Sequence, residues 1–457
     1  MDERTEQPKG ESLTHAKSSH NVDLPVDLAG WLTYLESIHP QSIDMGLDRV
    51  EAVKGELKLT QSFAVITVGG TNGKGSTCRM LESIYHQAGY RVGCYLSPHL
   101  MRYNERVRVG GQDVTDQALV EAFIAVEKAR RLAAVSLTYF EFGTLAAMWV
   151  FAHSSLELVV LEVGLGGRLD AVNVFEPDCS VVTSVAMDHM DYLGDTRELI
   201  GFEKAGIFRH EKPAICADND PPQSLVKHAE AIGAQLLVRG RDFDFKSTPL
   251  QWSYWGPQGV RHALPWPALR GRYQLSNAAA ALTVLGQMGG RCPVSINHIR
   301  EGMLLAENPG RFQVLPGQPT VVLDVAHNPH AAAALVDSLK QLPKAGRTVA
   351  VFSMLSDKEI ASVIEILRPS IDHWWVAGIA GPRGCTGDYL CTLLQQAGIT
   401  ALSTARDLQS AFFAARKSAS EDDKIIVFGS FYTVAAVMSA LEDPKQDPKQ
   451  DSKRSAQ

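Results

Sequence analysis

Residues 68–76 read Val68-Gly-Gly-Thr-Asn-Gly-Lys-Gly-Ser76. Closely spaced glycines let successive backbone N–H groups approach an anion. A lysine beside them adds a mobile cation, and a neighbouring hydroxyl can face a divalent metal. These are the parts needed to cradle a nucleoside triphosphate. The backbone from Gly70 through Thr71, Asn72, Gly73 and Gly75 would meet phosphate oxygens, Lys74 the terminal phosphates and Ser76 a Mg²⁺ ion. The spacing departs from the common phosphate-loop pattern, since Val68 stands at its first glycine position and Gly75 separates Lys74 from the hydroxyl. A plain glycine-rich turn is the bland alternative, and the flanking strand and helix patterns argue against it.

Other residues able to do chemistry lie further on. Glu162 interrupts the apolar run 158–163, where a carboxylate is costly unless paired or bound to metal. Ser97 follows the run 92–96, and His189 follows the run 179–185 within Met187-Asp-His-Met-Asp-Tyr-Leu-Gly194. Three successive predicted strands thus end in Ser97, Glu162 and His189, donors that suit Mg²⁺ or Mn²⁺ beside a phosphate. Alone, His189 reads as a structural histidine, and Lys204 in Glu203-Lys-Ala-Gly206 reads as a solvated or salt-bridged lysine. Thr138 followed by Glu141 is a capping-box pattern, weighed evenly against substrate contact. Neighbouring Asp48 and Arg49 read as an ion pair. Asp324 and His327 end a strand at a helix start, where a carboxylate also serves as an N-cap.

The elements that must position these groups follow from periodicity. The β-branched run 63–68 predicts a buried strand before the loop, and residues 76–88 a helix after it, closed by Gly89. Further strands are predicted at 92–96, 158–163, 179–185 and 213–217. Helices are predicted at 24–35, up to residue 57, and at 118–131, 137–153, 198–209, 222–232 and 275–288. Residues 243–255 alternate polar with aromatic residues, as in a small antiparallel excursion. Asn308-Pro-Gly-Arg311 carries turn signals and marks a domain boundary. Beyond it, strands at 320–325, 348–352, 373–376 and 424–428 alternate with helices at 329–342, 358–367, 388–397 and 407–418. The predicted class is α/β: a P-loop-containing, mostly parallel sheet domain over 24–307, then a smaller Rossmann-like α/β domain over 308–441. The polar stretch 1–23 and the tail 442–457, with its Asp443-Pro-Lys-Gln-Asp-Pro-Lys-Gln450 duplication, read as disordered.

A chain of 457 residues exceeds one ordinary core. Its formal net charge of −7 gives no footprint for nucleic acid or an acidic membrane surface. No apolar run approaches a membrane span, and the polar N-terminus is not a secretory signal. The 7 cysteines are scattered singly without CxxC spacing, which reads as free thiols in a reducing cytoplasm. Cys78, just past the loop, reads as a small buried residue rather than a catalytic thiol.

Several motifs carry a resemblance across residues 44–437. They are Gly70-Thr-Asn-Gly-Lys-Gly-Ser76, Ser97-Pro-His99, Phe140-Glu-Phe142, Leu161-Glu-Val-Gly-Leu-Gly-Gly-Arg-Leu-Asp-Ala-Val-Asn173, Asp188-His-Met-Asp-Tyr-Leu-Gly194 and Glu203-Lys-Ala-Gly206. In the second domain come Gly310-Arg311, Asp324-Val-Ala-His-Asn-Pro329 and Gly429-Ser-Phe-Tyr-Thr433. The chain resembles the folylpolyglutamate synthase/dihydrofolate synthase family of the Mur ligase superfamily. Leu137-Thr-Tyr-Phe-Glu-Phe-Gly143 is most similar to the bacterial members that perform both reactions. Glu359 in Asp357-Lys-Glu359 departs from the Asp frequent in the family.

The resemblance implies an ATP-dependent amide ligase working through an acyl phosphate. L-glutamate would be joined to 7,8-dihydropteroate and to the γ-carboxylate of tetrahydrofolates. It implies ATP and Mg²⁺ as cofactors and allows a monovalent cation such as K⁺. Magnesium would be held by Ser97, Glu162, His189 and a carbamylated Lys204. Catalytic roles would fall to Lys74, Lys204 and His327, and ATP contacts to the loop, Asn277, Arg311, Asp324 and His327. The pteroate region would comprise Thr138, Phe140, Glu141, Asp170, Ala171 and Asn173, while Ser430 lies in a family motif of loosely carried role. A cytoplasmic monomer acting on small molecules is expected, with no nucleic acid or membrane partner, and with domain closure over ATP.

Other readings are a folylpolyglutamate synthase only, another superfamily ligase, a P-loop NTPase or kinase, and a non-catalytic binding module. A muramyl ligase needs a UDP-binding domain ahead of the loop, for which too little chain precedes residue 70. A kinase would not need the second α/β domain, and a binding module would not need the full set of phosphate and metal groups.

Overall fold

Strand β1, Ala64–Gly69, is buried along its whole length, as its unbroken apolar sequence requires of a central parallel strand. The computed structural model describes residues 24–41, 43–343 and 346–442, so the extension expected at 1–23 and all but Glu442 of the tail expected at 442–457 lie outside the described residues, Glu442 itself ending a helix. The strands following β1 are β2 (Val92–Tyr95), β3 (Val107–Val109), β4 (Gln112–Asp113), β5 (Leu158–Glu162), β6 (Cys179–Val182), β7 (Pro213–Cys216) and β8 (Gln235–Val238). They form one sheet in the order β4-β3-β2-β5-β1-β6-β7-β8. All pairs are parallel except those made by β3 and β4. Helices cover both faces over two apolar clusters.

Register explains why chemistry gathers at one end of this sheet. Val68 of β1 lies opposite Glu162 of β5 on one side and Val181 of β6 on the other. The carboxylate therefore stands beside the turn into helix Lys74–Gln87, at the carboxyl ends of parallel strands where α/β folds bind ligands. That helix is clamped from outside by Ile296–Leu305. A Cβ on Gly302 would lie 2.4 Å from the Ile84 Cα, so the close approach requires glycine.

Strands β9 (Asp244–Ser247), β10 (Trp252–Gly256) and β11 (Gly259–Leu264) make the small antiparallel sheet expected from the aromatic alternation. The second α/β unit contains β12 (Gln313–Leu315), β13 (Thr320–Asp324), β14 (Thr348–Phe352), β15 (His373–Val376), β16 (Leu402–Thr404) and β17 (Lys424–Phe428). Their order is β12-β13-β17-β14-β15-β16, with only β12 antiparallel. Among the described residues no helix is long and apolar enough to cross a membrane.

Asp423 ties the base of this sheet. Its buried carboxylate accepts the Arg347 N–H at 2.6 Å, the Ser420 N–H at 2.9 Å and the Arg347 guanidinium at 2.9 Å. Burial opposes the charge, but these donors win and hold the carboxyl at about 2. A depressed folded value stabilises above the unfolded carboxylate range and is lost as pH falls through about 2. Asp423→Ala should cost about 2 kcal/mol in urea unfolding at pH 7, and much less near pH 2.

Two expectations change here. Arg49 pairs with Asp44 at 2.7 Å and Glu141 at 2.8 Å rather than with Asp48, because adjacent helical residues do not face each other. Asn328, not Asp324, caps helix Pro329–Leu339, its side chain accepting from the Ala331 N–H.

Candidate active site

The loop after β1 is fixed by its glycines and by the chain beneath it. Gly70 has φ of 136°, and a Cβ there would lie 2.0 Å from Thr183 Oγ1. Gly73 has φ of 93°, and a Cβ there would lie 2.4 Å from Asn277 Oδ1. Neither position accommodates a side chain without displacing the groups that hold the loop. From below, the Thr71 N–H donates to the Ser184 carbonyl at 2.8 Å, and Thr183 Oγ1 donates to the Asn72 carbonyl at 2.7 Å. This accounts for a difference from the expected strand 179–185. β6 stops at Val182, and the hydroxyls of Thr183 and Ser184 turn to bond the loop. His189 is consequently carried on a loop past the strand end, with φ of 51°.

Lys74 curls over the turn, donating to the carbonyls of Gly70 at 3.1 Å and Thr71 at 3.2 Å. Ser76 Oγ accepts from Gln274 at 3.2 Å and Asn308 at 3.3 Å, and Asn277 donates to Gln274 at 2.8 Å. The glycine-rich loop, the Asn277 helix and the segment joining the two α/β units are thus bonded together. Gly75 leaves Glu162 uncovered: a Cβ there would lie 3.5 Å from Glu162 Oε2.

A cavity of about 460 Å³ opens over the loop, lined by Lys74, Ser97, Glu162, His189 and Lys204 of the first unit and by Arg311, His327 and Lys358 of the second. A smaller one of about 180 Å³ continues from it past Asn277, Asp324 and Arg311. Together they bring every residue expected to touch nucleotide or metal to one cleft. Asp324 is held by the N–H groups of Phe312 at 2.8 Å and Ala326 at 2.7 Å. His327 Nδ1 donates to the Val325 carbonyl at 2.8 Å, which leaves Nε2 toward the cleft, 3.8 Å from Asp188.

The donor set fits a divalent cation. Glu162 is fully buried, and its hydrogen-bond donor is the Ser97 N–H at 3.0 Å, so one carboxylate charge lacks a cation in contact. Burial raises its carboxyl, with Lys74 opposing from a distance. Burial likewise lowers the His189 imidazole to about 4, leaving it neutral as a ligand must be. Among the described residues no three His, Cys, Asp or Glu side chains form a cage. One carboxylate, one imidazole and one hydroxyl leave room for phosphate oxygens and water, the shell Mg²⁺ prefers.

Lys204 is not the solvated lysine that the sequence alone indicates. It is 4% exposed, and burial, reinforced by Lys74, lowers its ammonium to about 7. A neutral amine in this place is competent to take up CO₂ as a carbamate.

The residues expected around a pteroate do not line the cavity but build its wall. A Cβ on Gly164 would lie 2.6 Å from the Phe140 ring. Asp170 accepts from the N–H groups of Leu165 at 2.7 Å and Val172 at 3.0 Å, and burial raises its carboxyl to about 7. Asn173 donates to the carbonyls of Arg168 and Gly206, and Ala171 is buried at the start of the same turn. Thr138 and Glu141 form the capping box, with Arg49 on the second Glu141 oxygen.

Asp188, Asn328 and Lys358 lie within the motifs quoted above, yet nothing local to the sequence shows that they meet. Asp188 bonds Lys358 at 2.8 Å and Asn328 at 3.1 Å, which lie 170 and 140 residues away in the second unit. His327, His189 and Lys358 hold its carboxyl well below the usual range against the effect of burial. Only the fold brings this tie between the two units together.

Comparison with known proteins places this architecture. A family described as Mur ligase middle domain matches residues 68–285, and one described as Mur ligase, glutamate ligase domain matches residues 310–431. The dihydrofolate synthase/folylpolyglutamate synthase of Escherichia coli (strain K12) is 46% identical over 416 residues, spanning 91% of this chain and 96% of its own length. The chain belongs to the dihydrofolate synthase/folylpolyglutamate synthase family of Mur ligases. The folds of this family agree with the one described above. E. coli FolC in complex with DHPP and ADP gives a TM-score of 0.87 at 46% identity, covering 91% of this chain and 98% of that one. The bifunctional folylpolyglutamate synthase/dihydrofolate synthase of Yersinia pestis complexed with AMPPNP and Mn ion gives 0.85 at 45% identity, covering 91% and 98%.

Proposed function

We infer that this chain is an ATP-dependent ligase that adds L-glutamate to 7,8-dihydropteroate and to the γ-carboxylate of tetrahydrofolates. The observation that carries this is the convergence of Lys74 with Ser97, Glu162, His189 and Lys204 in one cleft closed from the second unit by Arg311 and His327. The DHPP, ADP and AMPPNP–Mn complexes of the relatives support it.

A carboxylate is a poor electrophile, and phosphorylation supplies a leaving group. An oxygen of the acceptor carboxylate attacks the γ-phosphorus and ADP departs. The glutamate amine then attacks the acyl carbon, phosphate leaves and the amine loses a proton. The protein's part is positioning and charge neutralisation. The loop amides and Lys74 hold the phosphates, Asn277 and Asp324 the nucleoside, and Arg311 a phosphate from the second unit. Mg²⁺ would be held by Ser97, Glu162, His189 and carbamylated Lys204, and would offset charge on the transferring phosphoryl group. Phe140 and Asp170 shape the wall against which the pteroate lies, and His327 faces the transferring phosphate. The enzyme works as a monomer in the cytoplasm, where its 7 free cysteines remain reduced.

Dihydropteroate and tetrahydrofolate, supplied separately with ATP and labelled glutamate, should each yield a labelled amide and ADP. Product from tetrahydrofolate alone would reduce the reading to folylpolyglutamate synthase. ATP hydrolysis without amide from either acceptor would refute it.

A further inference from the structure

Arg106 lines the main cavity and is 8% exposed. It closes the turn Tyr103–Arg106 just before β3, so its backbone is fixed by the sheet. Its Nε donates to His99 Nδ1 at 2.8 Å. Its guanidinium carbon stands 5.2 Å from the centre of the Tyr103 ring and 5.4 Å from that of Tyr139. Several other arginines set into the first unit meet carboxylates: Arg49 meets Asp44, Arg79 and Arg108 meet Glu82, and Arg130 meets Glu127, whereas Arg239, outside this cavity, meets Ser276 and the Phe245 ring. Among the described residues Arg106 meets no carboxylate.

A desolvated guanidinium without an anion is costly, and tyrosine faces offset only part of that cost. Its rigid guanidinium fork suits bidentate contact with a carboxylate. The aromatic packing and the His99 bond orient it before any ligand arrives. The Glu162 carboxylate lies near enough to feel this charge but not in contact with it, so a contacting anion is left to what enters the cavity. It is not the transferring phosphate, which Lys74 and the loop already address.

We propose that Arg106 anchors a glutamate carboxylate of the substrates, one that takes no part in the reaction, and so helps to choose between acceptors. This rests on the ligase reading above. Two sources share the chemistry: the α-carboxylate on the glutamyl tail of a folate acceptor, and a carboxylate of the incoming L-glutamate. Dihydropteroate has no glutamyl tail and separates them.

The test compares Arg106→Gln and Arg106→Lys with the parent enzyme on both acceptors. Contact with the acceptor tail predicts a loss of about 10- to 100-fold in kcat/KM for tetrahydrofolate in the Gln variant, with dihydropteroate unchanged. Contact with incoming glutamate predicts a similar rise in KM for glutamate with both acceptors. In either case the KM for ATP and the Tm stay at parental values, and the Lys variant recovers part of the loss. Parental selectivity and glutamate KM in a folded Gln variant, or a rise confined to the KM for ATP, would overturn the proposal. Calorimetric titration of the AMPPNP-loaded protein with L-glutamate and with tetrahydrofolate gives an independent reading. If the parent enzyme makes no amide, the ligase reading fails, and these titrations still decide Arg106: affinity must weaken in the Gln variant for one of the two ligands, and equal affinity for both overturns it.

Discussion

Lys74→Ala should lower amide synthesis by about 10³-fold or more with either acceptor while leaving the Tm close to that of the parent. The two halves of this expectation rest on different facts. Lys74 bonds only two carbonyls of its own turn, and the glycines, Thr183 and Ser184 hold that turn without it. Its removal therefore leaves the fold intact.

Chemically, no other cation of the cleft stands where Lys74 does. Arg311 reaches in from the second unit, its guanidinium 5.0 Å over the Phe431 ring, and Lys358 is engaged by Asp188 at 2.8 Å. Neither these two nor Arg106 and Lys204 stand at the start of helix Lys74–Gln87. The loss should fall mainly on kcat, because backbone amides keep nucleotide in place whereas charge developing on the transferring phosphoryl group goes unmatched. Single-turnover measurement at saturating ATP checks this. Amide synthesis within about tenfold of the parent would refute the assigned role. Lys74→Arg should not rescue, since a planar fork replaces the compact, mobile point charge that the turn presents.

Legibility in the sequence followed the range of the interactions involved. Glu162 could be found because a carboxylate within a parallel-strand run is an anomaly of local composition. The loop could be found because its glycines are required by local backbone conformation. The capping box of Thr138 and Glu141 was equally local. The short strands β3, β4, β12 and β16, all but β3 at sheet edges, were not foreseen. They run to no more than three residues, and their pairing is set by neighbours remote in the chain. Helices Ile296–Leu305 and Phe431–Glu442 were also missed, the second because Gly429-Ser-Phe-Tyr-Thr433 drew attention as a motif rather than as a helix start.

The same rule governs the site. Asp188 with Lys358, Arg49 with Glu141 and Ser76 with Asn308 are all pairs that only tertiary structure creates. The sharpest case is Lys204. Its local sequence is that of an ordinary surface helix, and only the fold seats that helix against Gly167, where a Cβ would lie 3.0 Å from the Lys204 carbonyl, and leaves the residue 4% exposed.

That burial sets the second large expectation. Lys204→Ala should lower activity by about 10²- to 10³-fold, and Lys204→Arg should fare no better, since neither side chain can become an anionic oxygen ligand. What sets this apart from loss of a structural lysine is its dependence on CO₂. The parent enzyme stripped of CO₂ should lose activity and regain it with bicarbonate, and ¹³C-bicarbonate should give a carbamate carbon signal absent from Lys204→Ala.

The physical basis is the pull of two opposing environments on one nitrogen. Before carbamylation, burial and Lys74 disfavour the ammonium and lower it to about 7, so a neutral amine is available to attack CO₂. Afterwards the same Lys74 is a favourable neighbour for the new negative charge. In Lys74→Ala both effects weaken, so carbamate occupancy at a given bicarbonate concentration should fall together with catalysis. The Lys74 and Lys204 losses should therefore combine to less than their product in the double variant. A fully multiplicative double variant, or parental activity under strict exclusion of CO₂, would show that Lys204 acts as a plain ammonium and that the metal shell is completed by water instead.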